Sequence, residues 1–161
     1  LCLVPELVRV LKIPVIAAGG IADARGLLAA LALGAEGVEV GTRFLATEEC
    51  PVSDFIKQLI LEAQCESTLV LGKEKMMPVR VLKGKAAELI SQAPEDKSLD
   101  GVVDRMSVPL RGNQDNILVA CGQAAGLCQE IKSIAKMFPE MIEEAQTLSS
   151  QLYSLFKGGD K

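Results

Sequence analysis

Gly19-Gly20 and Gly41-Thr42 are the residues of this chain best placed to do chemistry. Each pair follows a short apolar run that reads as a buried strand ending in a turn. A phosphate oxygen needs N–H donors at about 3 Å. A Cβ at the point of closest approach would obstruct it, so glycine suits both turns. Main-chain amides from two consecutive strand ends can close around one phosphate, and Thr42 can add its hydroxyl. Either turn alone is equally a plain βα turn needing glycine for positive φ. Together, at this spacing, they predict a phosphate-bearing ligand at the C-terminal edge of a parallel sheet. Asp23 carries the wrong sign for a phosphate contact and reads as a helix cap.

The other candidates are weaker. Glu39 sits inside the second strand, where an unpaired carboxylate would be costly; it bonds a ligand, pairs with a basic residue or faces an edge. Arg43 either screens the phosphate or points outward. Gly122-Gln123-Ala124-Ala125-Gly126 either packs a helix closely or brings Gln123 to the ligand as a polar contact. The chain has no histidine, which excludes a Cys-His nucleophile pair and a histidine-ligated zinc site within it. We assign no catalytic residue and no metal ligand. Five cysteines without a C-x-x-C read as reduced thiols in a cytoplasmic protein. Cys121 and Cys128 are spaced to share a helix face.

The elements that must position these residues follow from periodicity. Residues 3–12 read as a helix with Leu3, Leu7, Val8 and Leu11 on one side. Residues 13–18 are continuously apolar, as in a strand covered on both faces. Asp23 caps the next helix, whose stripe is Leu27, Leu28 and Leu31, and Gly34 fits its C′ position. Residues 38–41 form a second strand, completing a βαβ unit. Ser53 caps a helix burying Phe55, Ile56, Leu59 and Ile60. Residues 68–71 and 78–82 read as short strands, and 85–90 as a helix. Residues 91–116 are a polar surface excursion. Residues 116–137 return to apolar helix, and Pro139 starts a last helix at its first position, with Met141, Ile142, Ala145, Leu148, Leu152 and Leu155 on one face.

The 161 residues are about one domain in length and 49% hydrophobic, enough for a sizeable core. A net charge of −4 argues against nucleic-acid binding. No apolar run reaches the roughly 18–20 residues of a membrane span, and the opening residues do not form a signal peptide. The chain starts at Leu1 rather than Met, which predicts a fragment or a processed start.

The string AAGGIADARGLLAALALGAEGVEVGTRFLATEEC at 17–50 closely resembles the FMN-dependent nitronate monooxygenases and the related flavin-dependent enoyl-acyl-carrier-protein reductases. ACGQAAGLCQEI at 120–131 is similar to their C-terminal A-G-Q-x-A-G-L segment, and MPVRVLKGKAAE at 77–88 to their link after the last barrel strand. The resemblance implies an α/β fold, the C-terminal part of a TIM-type (β/α)8 barrel. Residues 13–18 would be strand 7 and 38–41 strand 8. Residues 1–65 would belong to the barrel and 66–161 to a mostly helical subdomain. Gly19, Gly20, Gly41 and Thr42 would hold the FMN phosphate, with Gln123 near the cofactor. The activity implied is oxidation of alkyl nitronates by molecular oxygen. The alternative is NAD(P)H-dependent reduction of an enoyl thioester.

The chain also departs from the family. The histidine used for acid–base work lies on a loop after an earlier strand and has no counterpart here. Glu39 stands where a glutamine is common, and Cys50-Pro51 where a histidine or asparagine often follows. Two strands cannot close an eight-stranded barrel. We expect the missing N-terminal half of a protein of roughly 300 residues, or a partner copy of the chain, to supply the rest. Two other readings remain at this level: a flavin-free phosphate-binding barrel and an inactive fragment.

Overall fold

The computed structural model describes residues 2–72, 78–92 and 117–157. In chain order it runs α1 (Leu3–Val10), β1 (Ile16–Ala18), α2 (Ala24–Ala32), β2 (Gly37–Glu39), α3 (Thr42–Leu45), α4 (Asp54–Glu62), β3 (Thr68–Leu71), β4 (Val79–Leu82), α5 (Lys85–Ser91), a 3-10 turn (Gln123–Leu127) and α6 (Ile134–Lys157). The fold is α/β. Contacts gather the chain into two units: Leu1–Val40 with Lys132–Lys161, and Gly41–Ile131.

In the first unit β1 and β2 pair in parallel through the α2 crossover, with Ala18 level with Glu39. The predicted cap is present: the Gly26 N–H donates to Asp23 Oδ1 at 2.8 Å. Gly34, at φ +95°, takes the left-handed turn after α2. Ala17, Ile21, Ala30 and Ala35 form a small core with Val4, Val38 and Val40 against it. The first strand is shorter than predicted and is not covered on both faces. Val15 and Ala17 are buried, while Ile13 and Ile16 are 66% and 55% exposed. The alternation of strand side chains puts Ala17 under the helices, and among the described residues nothing covers the opposite face. In α1 no residue is buried, and Val4 makes the core contact in place of the predicted stripe.

α6 lies on α2 through Met141 and Ala145 against Ala24, with Leu27 and Leu148 beside them. Its start differs from the prediction. The Ser133 carbonyl accepts from the Lys136 and Met137 amides at 3.1 and 2.9 Å, so the helix begins at Ile134 and Pro139 falls inside it. The proline there forgoes one bond, to the Ala135 carbonyl. The predicted apolar face packs only in part: Met141 and Ala145 are buried, while Ile142, Leu152 and Leu155 are exposed.

In the second unit Ile56 and Ile60 of α4 are fully buried beside Ala46, Ala125 and Cys128. Ser53 sits at the α4 start, but its carbonyl rather than its hydroxyl takes the Ile56 and Lys57 amides. β3 and β4 form the predicted antiparallel pair, Thr68 opposite Leu82. α5 covers them, with Ala86, Ala87 and Ile90 joining Leu71, Val81 and Leu118.

Of the helix predicted over 116–137 only the last residues form, where α6 begins at Ile134. Residues 117–122 are extended along β4: the Leu82 amide donates to the Val119 carbonyl at 2.9 Å and the Cys121 amide to the Arg80 carbonyl at 3.2 Å. An open strand edge offers this segment partners, and Gly122 and Gly126 are poor helix formers. A 3-10 turn follows at Gln123–Leu127. Cys121 and Cys128 therefore do not share a helix face, although both are buried. The excursion predicted at 91–116 lies, from residue 93, outside the described residues.

Candidate functional site

The register of β1 and β2 brings two strand ends level, and a glycine-bearing turn leaves each one. Gly19 and Gly20 take φ +95° and +77°, conformations costly for any residue with a Cβ. Both are exposed, and a Cβ on either would meet nothing within 4 Å. Gly41 is also exposed with open space at its Cβ position, but its φ of −100° is ordinary. Local backbone geometry thus explains glycine at 19 and 20 and does not explain it at 41. Among the described residues no carbonyl takes the Gly20, Gly41 or Thr42 amide, so these donors have no main-chain acceptor there.

Thr42 is held from another part of its unit. The Gly122 amide, 80 positions along, donates to Thr42 Oγ1 at 2.8 Å. The 3-10 turn that carries this amide packs on α3 and α4. Gln123 is exposed, and its Nε2 donates to the Cys65 carbonyl at 3.2 Å. Among the described residues no donor bonds Gln123 Oε1. The structure thus joins Thr42 to the segment carrying Gln123. Sequence reasoning missed the Gly122 amide itself; the small-residue pattern at 122–126 was its one trace.

Arg43 does not point outward. It is 6% exposed, and its Nη1 donates to the Ala46 carbonyl at 2.8 Å, closing the end of α3. Glu39 is exposed. Burial pushes the Cys121 thiol up to about 11, and the neighbouring Cys128 adds to the shift against a Leu82 main-chain hydrogen bond and Arg80. Burial also raises Cys128, against the Arg43 charge. Both are neutral thiols near pH 7 and poor nucleophiles. The described residues contain no cluster of His, Cys, Asp and Glu able to hold a metal ion. None of their helices is long and apolar enough to cross a membrane.

The chemistry available is therefore binding through main-chain amides and one hydroxyl, suited to an anion. The family model described as nitronate monooxygenase matches residues 1–144. A (3aS,4S,5R,7aS)-5-hydroxy-7a-methyl-1-oxo-octahydro-1H-indene-4-carboxyl-CoA dehydrogenase from Rhodococcus jostii (strain RHA1) is 43% identical over 101 residues, 63% of this chain and 28% of that one. A probable nitronate monooxygenase from Staphylococcus aureus (strain JH9) is 40% identical over 94 residues, 58% of this chain and 26% of that one. Among solved structures, FabK from Thermotoga maritima superposes with a TM-score of 0.90 at 35% identity, covering 96% of this chain and 51% of FabK. The chain matches under a third of these two curated relatives and about half of FabK.

Proposed function

The chain belongs to the nitronate monooxygenase family, and from that premise we propose that it is the FMN-phosphate-holding part of a flavin-dependent oxidoreductase that oxidises alkyl nitronates with molecular oxygen. In this reading β1 and β2 are strands 7 and 8 of a (β/α)8 barrel, within residues 1–65, and residues 66–161 form the adjoining subdomain. The remaining strands come from the rest of a longer polypeptide or from a partner copy. Gly19, Gly20, Gly41 and Thr42 hold the phosphate, and Gln123 contacts the cofactor through its amide oxygen.

One observation carries the reading: β1 leaves in a turn of two positive-φ glycines, of which the Gly20 amide lacks a carbonyl partner among the described residues, with no Cβ to obstruct an anion. Those residues fit a phosphate. Bound FMN would supply a ring that accepts electrons from the substrate. The chain's own residues bind and orient it: the amides and the Thr42 hydroxyl donate to phosphate oxygens, and Asp23, committed to the Gly26 amide, keeps its charge on the helix start. With no histidine in the sequence, a histidine base, if used, comes from outside this chain. Five free cysteines support a reducing, cytoplasmic setting.

The likeness to FabK over 96% of the chain favours a second reading, NAD(P)H-dependent reduction of an enoyl thioester. The complete polypeptide carrying this chain, purified and assayed with an alkyl nitronate under oxygen and with an enoyl thioester plus NAD(P)H, decides between them. We expect bound FMN and nitronate-dependent oxygen uptake. Thioester reduction alone would select the second reading, and a preparation that neither retains nor rebinds flavin would refute both.

A further inference from the structure

Thr42 faces a constraint that its own turn does not impose. A hydroxyl carries one proton and two acceptor lone pairs. The Gly122 amide occupies one lone pair at 2.8 Å. The hydroxyl is thereby oriented, with its proton still to donate. We propose that the Gln123–Leu127 turn is a positioning device that orients the Thr42 hydroxyl to donate to the ligand's phosphate, and that Gly126 is the residue that seats it. The proposal rests on the phosphate reading of the site given above.

The seating is steric. A Cβ on Gly126 would lie 2.7 Å from the Gln64 carbonyl carbon and 2.9 Å from Cys65 Sγ, and would also collide with the Cys65 main-chain nitrogen. Two of these three are backbone atoms, which cannot swing aside as a side-chain tip can. The turn thus rests on the 64–65 backbone at a distance open only to glycine. Gln123 Nε2 ties the other end of the turn to the same place, through the Cys65 carbonyl. The Ala125 amide donates to the Gly122 carbonyl at 3.1 Å, which links the seated turn to the residue that touches Thr42. A rigid path therefore runs from Gly126 through Gly122 to the Thr42 hydroxyl. Its effect is to hold the hydroxyl so that its proton can reach an accepting ligand group.

FMN and riboflavin differ only in the phosphate and so isolate this effect. The test measures affinity for both in the complete polypeptide, for wild type, Gly126→Ala, Thr42→Val, the double variant and Thr42→Ser. Losing a hydrogen bond to a charged group is expected to weaken FMN binding about tenfold or more in each of Gly126→Ala and Thr42→Val. Riboflavin affinity should stay unchanged, Thr42→Ser should bind FMN as wild type does, and the double variant should be no weaker than the worse single one. Gly126→Ala that weakens both flavins alike, leaves FMN untouched, or multiplies with Thr42→Val overturns the positioning role while leaving the phosphate site standing. Wild type that binds the two flavins equally overturns the phosphate reading and this inference with it. Should Gly126→Ala fail to fold, amide exchange decides: the Gly122 amide must exchange faster in Thr42→Val than in wild type and Thr42→Ser, and equal rates overturn the proposal.

Discussion

Gly41 is a glycine that the fold does not need, and replacing it separates binding from stability. Its φ of −100° lies in a region open to every residue, and a Cβ there would meet no atom within 4 Å. Gly41→Ala lowers the entropy of the unfolded chain, worth about 0.4–1 kcal/mol in favour of the folded state. Alanine is a poorer residue than glycine just before a helix, which costs a similar amount. The two offset, so unfolding free energy should stay within about 1 kcal/mol of wild type. Gly20→Ala is the contrast, because φ +77° costs alanine about 1–2 kcal/mol without any clash. If the Gly41 amide grips the phosphate, a methyl group beside it removes a hydrogen bond to a charged group, about 1.5–3 kcal/mol of binding. That is roughly a 10- to 150-fold loss of FMN affinity. Urea denaturation gives the stability change and flavin-fluorescence titration the affinity. A stability loss above about 2 kcal/mol would show that glycine serves the backbone after all. FMN affinity held within about twofold of wild type would remove Gly41 from the phosphate site.

Ile60→Ala should cost about 2–5 kcal/mol in urea denaturation, because Ile60 is fully buried against Ala46 and Cys128 and its neighbours close only part of the cavity; a cost under about 1 kcal/mol would mean that the second unit's core is not packed as described. The folded Cys121 thiol titrates near 11 against an ordinary 9.0, so the folded state holds its proton longer than the unfolded one. Its contribution, at most about 2–3 kcal/mol, is complete below pH 9 and is lost as pH rises towards 11. Cys121→Ala should flatten that alkaline fall in a series of denaturation curves, and an unchanged slope would refute the assignment.

Much of the fold was legible because its signals are local. Asp23, placed ahead of a leucine-rich helix, needs only the Gly26 amide three positions on. Gly34 marks the end of α2 because a left-handed residue is required there. The β3–β4 pair follows from two β-branched runs close together in sequence. Part of the candidate site was legible for the same reason: Gly19-Gly20 sits where a strand must turn sharply. The stretch at 116–137 was not. Its small apolar residues have no clear period, and its hydrogen-bond partners lie on β4, almost 40 positions away. Pro139 fits a first helical turn, but the Ser133 carbonyl starts the helix earlier. The burial of Arg43 was not legible, because its partner, the Ala46 carbonyl, becomes an acceptor only when α3 ends there.

Sequence alone determined which backbone amides this chain can expose, since glycine and the strand-turn-helix pattern act over a few residues. Tertiary structure decided what those groups face. It set Gly122 against the Thr42 hydroxyl and Gly126 against the 64–65 backbone, contacts that join residues 80 and about 60 positions apart. Such contacts depend on the packing of α3, α4 and the 3-10 turn, and no local pattern records where a distant main-chain amide will come to rest.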